Sequence, residues 1–339
     1  MEHKPVIGIT LGDFNGIGPE IILKAFSDNN LLKFCTPIIY GSNKIFTKYK
    51  KLLGIEDNNQ YNFFITKSAD QHNPKRINLI TCWEDDFTIE PGKVTEQAGK
   101  AAYMSLKAAS DDLKKGWIDA IVTCPINKAN IQSQEFKYPG HTEYFAEHFS
   151  QGKDNLMLMV AEDLRVAVVT GHVPLHKVSE SINRDSIKKK LAILLQSLKK
   201  DFGKIKPKIA VMGLNPHAGE NGLLGTEEKE IIIPVVEEFR AHGELVFGPY
   251  PADAFFGNKL DQKFDGILAM YHDQGLTPFK TLAFESGVNY SAGMPIVRTS
   301  PDHGTAYDIA GKGIANENSL RQALFLAVDI LNNRRDVNY

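Results

Sequence analysis

The chain has 339 residues with 39 Lys+Arg against 41 Asp+Glu, a formal net charge of −2, and is 42% hydrophobic and 24% charged. This is ordinary globular composition at a length that suits two domains, or one large lobe carrying a second. The charge balance argues against a polyanion partner such as nucleic acid, so any preference for phosphate has to come from a few placed basic residues. Cys35, Cys82 and Cys124 are odd in number and widely spaced, which argues against a disulfide framework and against a cysteine metal cage. The first ten residues run straight into a strand pattern, leaving no room for a signal peptide. No apolar stretch approaches the roughly 20 residues needed to span a bilayer. The expectation is a cytoplasmic protein with no membrane partner.

Short β-branched runs alternate with helical patterns, which predicts an α/β protein with a largely parallel sheet. Strands are expected at Val6–Thr10, Thr36–Tyr40, Ala120–Thr123, Arg165–Thr170, Lys208–Met212 and Gly266–Met270. Pro19 opens a helix after the glycine turn LGDFNGIGPE, proline being favoured in a first helical turn. Thr95 is placed to cap a helix from Glu96 to about Lys115. Ser186 is placed to cap another, whose Ile187, Leu191, Leu194, Leu195 and Leu198 share one face. A further helix follows Thr226, ends at Gly243, and is expected to kink at Pro234. PGHTE near residue 140 reads as a loop between two sheets. The domains expected are 1–140 plus about 300–339, and about 141–299.

Four segments share one grammar, a buried strand followed by a turn with polar residues: AIVTCPINK, RVAVVTGHVP, KIAVMGLNPHAGE and GILAMYHDQG. The last three carry His172, His217 and His272 just past the strand. Ligands of parallel α/β sheets bind outside the carboxyl ends of the strands. Three imidazoles converging there suit a divalent cation with an open position, or a catalytic role. A single histidine after a strand is more often a loop hydrogen-bonder. His3, His72, His148, His176 and His242 lack this placement and read as surface or structural.

The glycines of the first loop, at 12, 16 and 18, do not form the dinucleotide G-x-G-x-x-G fingerprint. A second loop, RTSPDHGTAYDIAGKGIANENS over 298–319, resembles the adenosine-wrapping loop of the isocitrate and isopropylmalate dehydrogenases. The ordered set GIGPE, TCPINK, PGHTE, TGHVPL, GLNPHAGE, PADAFF, YHDQG and SAGMPIVRTSPDHGTA covers nearly the whole chain. It is similar to the 4-hydroxythreonine-4-phosphate dehydrogenase family.

That resemblance implies a two-lobed α/β/α fold of the isocitrate/isopropylmalate dehydrogenase type, with an active-site cleft between the lobes. It implies metal ligands at His172, His217 and His272, and substrate contacts at His141, Thr142, Lys280, Asn289 and Arg298. His303, Gly304, Asp308, Gly311 and Asn316 would hold NAD or NADP. Lys280 is the candidate for handling the hydroxyl proton, unless it binds the substrate phosphate. Asp253 is the candidate to orient a water or the substrate amine, or simply to cap a turn. One divalent ion per site is expected, zinc or cobalt on imidazole preference, magnesium or manganese if substrate oxygens complete the shell. The resemblance also implies a homodimer whose subunits complete each other's sites. The reaction expected is oxidation of a phosphorylated hydroxy amino acid, followed by decarboxylation to 3-amino-2-oxopropyl phosphate.

The chain departs from the family's usual G-[DE]-P-[AS]-G-I-G-P at Asp13-Phe14-Asn15, which leaves open oxidation of 4-phospho-D-threonate or 4-phospho-D-erythronate. Outside this class stand phosphate acetyltransferase-like acyl transfer, a metal-dependent hydrolase, and a regulatory module descended from a dehydrogenase. Only a dehydrogenase would need both the rim histidines and the HGTAYDIAGKG loop.

Overall fold

The computed structural model describes residues 4–28, 30–55, 62–84 and 86–336; His3 lies outside them. The chain forms two compact units, residues 1–147 with 296–331 and residues 148–295 with 332–339.

In the first unit β1 (Val6–Thr10), β2 (Thr36–Gly41), β3 (Phe64–Thr66), β4 (Asn78–Thr81), β5 (Ala120–Thr123) and β12 (Val297–Pro301) lie in the order β3-β4-β2-β1-β5-β12. All these pairings are parallel. Ile7, Ile9, Ile38, Ile39, Ile121 and Val122 are completely buried, the continuous apolar runs of strands covered on both faces. The unit's helices are α1 (Gly18–Ala25), α2 (Asn43–Leu52), α3 (Glu96–Lys114), α4 (His141–Phe149) and the start of α10 (Asn318–Asp336). The Thr95 hydroxyl accepts the amide of Ala98 at 3.2 Å, the cap expected from the sequence. PGHTE is not a loop throughout, because His141, Thr142 and Glu143 open α4.

In the second unit β6 (Leu156–Ala161), β7 (Leu164–Thr170), β8 (Lys208–Met212), β9 (Leu245–Tyr250), β10 (Gly266–Tyr271) and β11 (Val288–Ala292) run in the order β11-β6-β7-β10-β8-β9. β6 is antiparallel to both its neighbours, and β7, β10, β8 and β9 are mutually parallel. The helices are α5 (Val178–Ser181), α6 (Arg184–Lys200), α7 (Ile233–Ala241), α8 (Ala252–Gly257) and α9 (His272–Ala283). Val166, Val168, Met212, Ile267, Phe255 and Phe279 pack into one core, each large side chain contributing roughly 1.5–3 kcal/mol.

Two helix starts differ from expectation. α6 is capped by Asn183, which accepts the Ser186 amide at 2.9 Å while the Ser186 hydroxyl accepts the Asn183 amide at 3.1 Å. Ser186 is thus the third helical residue of a capping box. The helix after Thr226 begins as a π turn over Glu228–Ile232, and α7 starts only at Ile233 with Pro234 in its first turn. Proline lacks the amide that would bond the carbonyl four residues back. That carbonyl, on Glu230, accepts instead from Arg184 Nη2 at 2.8 Å.

Candidate active site

The expected site residues divide between the units. In the second unit the parallel register sets Tyr271 opposite Thr170, so β7 and β10 end level. His172 and His272 follow directly, with ring centroids 5.4 Å apart. His272 is the first residue of α9, and its Nδ1 lies 2.7 Å from the carboxylate of Asp273.

His217 is placed differently. It sits after β8 in a run where His217, Ala218, Glu220 and Asn221 all have φ between 41° and 57°. Left-handed backbone costs a residue with a Cβ roughly 1–2 kcal/mol, so the run has to be held from outside. Glu228, 3% exposed, accepts the amides of Leu214 and Asn215, each at 2.7 Å, and the Asn215 side-chain amide at 3.0 Å. Gly219, with φ 79°, passes so close that a Cβ would stand 2.6 Å from Glu228 Oε2. Gln274 ties the base of the loop to β10: it donates to the Gly213 carbonyl at 2.6 Å and accepts the Met270 amide at 2.7 Å.

A cavity of about 670 Å³ opens beside this loop, lined among others by Asn215, His217, Asp253, Phe256, Gln274 and Thr277. It brings His217 and Asp253 together. Asp253 lies in the first turn of α8, whose cap is Pro251. Lys280, half-buried in the last turn of α9, is not among the lining residues. Asn289 is on β11, with its Oδ1 buried and unpartnered among the described residues. Among the described residues no group of three His, Cys, Asp or Glu is gathered to hold a metal ion. Imidazole is the right kind of donor for a cation, and His172 and His272 are the two of the expected three whose rings the structure brings together.

In the first unit Arg298 projects from β12, 3% exposed. Its Nε and Nη2 donate to the Thr123 hydroxyl at 3.1 and 2.7 Å. Burial lowers its pKa to about 10, partly offset by Glu143, so it stays cationic at neutral pH. His141 has a buried Nε2 with no partner among the described residues. Its pKa is driven well below 6.5 by burial, then by Arg298 and Lys128. An anion bound near Arg298 would supply the negative charge that the enclosed guanidinium lacks. Thr142 follows in the first turn of α4.

The segment carrying His303, Gly304, Asp308, Gly311 and Asn316 has neither helix nor strand, and Gly304, Asp308 and Asn316 are exposed along it. Sequence reasoning passed over Thr123, Glu228 and Gln274. Gln274 could have been suspected from its place in YHDQG, whereas nothing local marks Glu228.

Parallel strands covered by helices, with two of them ending level in paired histidines, place the chain among α/β proteins that carry polar residues past their strand ends. Residues 33–327 match the family described as pyridoxal phosphate biosynthetic protein PdxA, and the chain belongs to that family. A 4-hydroxythreonine-4-phosphate dehydrogenase of Bacteroides thetaiotaomicron is 52% identical over 98% of this chain and 91% of its own length. A relative from Oceanobacillus iheyensis, with the provisional name D-threonate 4-phosphate dehydrogenase, is 40% identical over 97% of this chain and 99% of its own. The crystal structure of 4-hydroxythreonine-4-phosphate dehydrogenase from Klebsiella pneumoniae superposes with TM-score 0.83 at 36% identity, covering 97% of this chain and 98% of that one. The chain is an oxidoreductase of this biosynthetic family. Among the described residues no helix is long and apolar enough to cross a membrane.

Proposed function

We propose that the protein oxidises 4-phosphooxy-L-threonine with NAD or NADP, giving 2-amino-3-oxo-4-phosphooxybutanoate. As a β-keto acid this product loses carbon dioxide to leave 3-amino-2-oxopropyl phosphate. The observation that carries the reading is Arg298, a buried cation whose guanidinium converges on the Thr123 hydroxyl, while burial and then the Arg298 charge hold the His141 pKa well below its usual range. With Thr142 these groups hold the anionic end of the substrate. Asn289, whose buried Oδ1 lacks a partner among the described residues, supplies an acceptor. Lys280 holds or takes the hydroxyl proton. His172, His217 and His272 would hold one divalent ion, zinc, cobalt, magnesium or manganese. That ion supplies Lewis acidity toward a hydroxyl or carbonyl oxygen. The 303–316 segment, with His303, Gly304, Asp308, Gly311 and Asn316, receives the dinucleotide.

The protein works as a homodimer whose subunits complete each other's sites. Leu175, Leu223, Leu282 and Phe284 are exposed on the unit that carries the three histidines, apolar side chains of the kind a second copy would cover. A shared site also accounts for a trio not gathered among the described residues of one chain. The unbridged Cys35, Cys82 and Cys124 fit a reducing cytoplasm.

The name of the Oceanobacillus relative favours a second reading, oxidation of 4-phospho-D-threonate. The two substrates differ by an amine against a hydroxyl. Asp253 in the cavity with His217 is a carboxylate suited to an ammonium group, which supports the amino substrate. Formation of reduced nicotinamide from each substrate, with each dinucleotide and before and after chelation, tests the proposal. Faster turnover of the threonate, or turnover indifferent to metal removal, would overturn it.

A further inference from the structure

Glu20 is completely buried on α1, yet it serves a loop nearly three hundred residues away in sequence. It lies one turn before Lys24, 3.0 Å from its Nζ. An i,i+4 glutamate–lysine pair on a helix surface is ordinarily a minor contribution. Here both members reach onward. Glu20 accepts the amides of Ala315 at 2.8 Å and Gly313 at 3.3 Å. Lys24 donates to the carbonyls of Gly313 at 2.9 Å and Ala315 at 2.6 Å. Both backbone groups of two residues, spaced two apart, are therefore satisfied. A neighbouring β-strand would bond the same groups; here two side chains of one helix turn do it.

The other end of the loop is held by the first glycine turn. The Tyr307 hydroxyl donates to Asp13 Oδ2 at 2.7 Å, and the Ile17 amide to the Thr305 carbonyl at 3.0 Å. Gly16 has to lack a side chain, since a Cβ there would stand 2.7 Å from that carbonyl. Asp13 also accepts the Asn15 amide at 2.9 Å, so the turn that lacks the family's proline is closed by a side chain instead. Asp308, Lys312 and Ile314 stay exposed between these anchors, as do Gly304 and Asn316 flanking them, Ile314 at 65%.

We propose that Glu20 and Lys24 are positioning residues for the dinucleotide, holding the 304–316 backbone in the form that receives it. This rests on the reading of that segment as the nucleotide loop. Without the clamp the loop samples other conformations, and affinity falls by the fraction of time it is misplaced. The loss falls on dinucleotide binding and not on the phosphorylated substrate.

The test titrates NADH and NADPH by fluorescence into the full-length protein, without substrate or added metal, comparing wild type, Lys24→Met and Glu20→Gln. Dinucleotide affinity is expected to weaken about tenfold or more. Hydrogen exchange at the amides of Gly313 and Ala315 should accelerate, and the dinucleotide KM should rise while kcat and the substrate KM hold. If Glu20→Gln does not fold, Lys24→Met decides, because that side chain is partly exposed. Unchanged dinucleotide affinity in folded Lys24→Met, with or without a lowered melting temperature, makes the pair merely structural and overturns the proposal. Failure of wild type to bind either dinucleotide removes the loop reading itself, and the role of the pair with it.

Discussion

His172 and His272 stand with their ring centroids 5.4 Å apart, tilted by 41°, although a hundred residues separate them in sequence. Parallel pairing of β7 and β10, with Thr170 opposite Tyr271, releases both chains at one level. Asp273 engages Nδ1 of His272, which leaves Nε2 as the nitrogen able to offer a lone pair to a cation.

Replacing either histidine by asparagine should weaken zinc and cobalt binding more than the roughly 10–100-fold typical of losing an outer partner. Asp273→Ala should fall within that range. Calorimetric titration of the metal-stripped protein measures both, and an unchanged affinity in both histidine variants would take the pair out of the metal site.

Gln274→Leu should destabilise the protein by about 1–3 kcal/mol, the cost of stranding a buried donor and acceptor. The groups stranded are the Met270 amide and the Gly213 carbonyl. Urea unfolding with an unchanged m-value reads this directly. A loss under about 0.5 kcal/mol, the range of neutral surface changes, would mean that the His217 loop stands without the bridge.

Arg298→Met should raise KM for the phosphorylated substrate about 10–100-fold, the worth of a charge-assisted contact, with the dinucleotide KM little changed. Arg298→Lys should not restore it. Two guanidinium nitrogens converge on the Thr123 hydroxyl, a fork that one ammonium group does not reproduce. Equal kinetics in Lys and Arg forms would contradict this.

The pKa of His141 is depressed in the folded protein, so below about 6.5 the unfolded chain binds a proton that the native state refuses. Stability should therefore fall as pH drops below about 6.5, by at most about 1.4 kcal/mol per pH unit from this group. His141→Gln should flatten that slope in melting curves between pH 7 and pH 5. A saturating phosphorylated ligand should flatten it too, because an anion beside the imidazole favours its protonated form. Identical slopes in wild type and variant would assign the acid sensitivity elsewhere.

Six of the strands were readable from the chain because covered parallel strands are written as apolar, β-branched runs, as in Val6–Thr10 and Lys208–Met212. The offset of His172 and His272 from their strands was readable for the same reason, since a strand end is a local event. Strands β3, β4, β6, β9, β11 and β12, the switch of α6's cap from Ser186 to Asn183, and the π turn ahead of Pro234 were not read. Each depends on which partner takes a backbone group, as Arg184 takes the Glu230 carbonyl.

The family resemblance nominated Arg298 and His141, but only folding made one an enclosed cation and the other a neutral imidazole. Those properties come from desolvation and from neighbours distant in sequence. Glu20, Glu228 and Gln274 were given no site role by the sequence, because each acts on backbone groups that its own neighbours in the chain do not reveal. Local patterning sets which elements form and which residues end them. Tertiary packing sets which buried polar groups meet, and so which of those residues can bind.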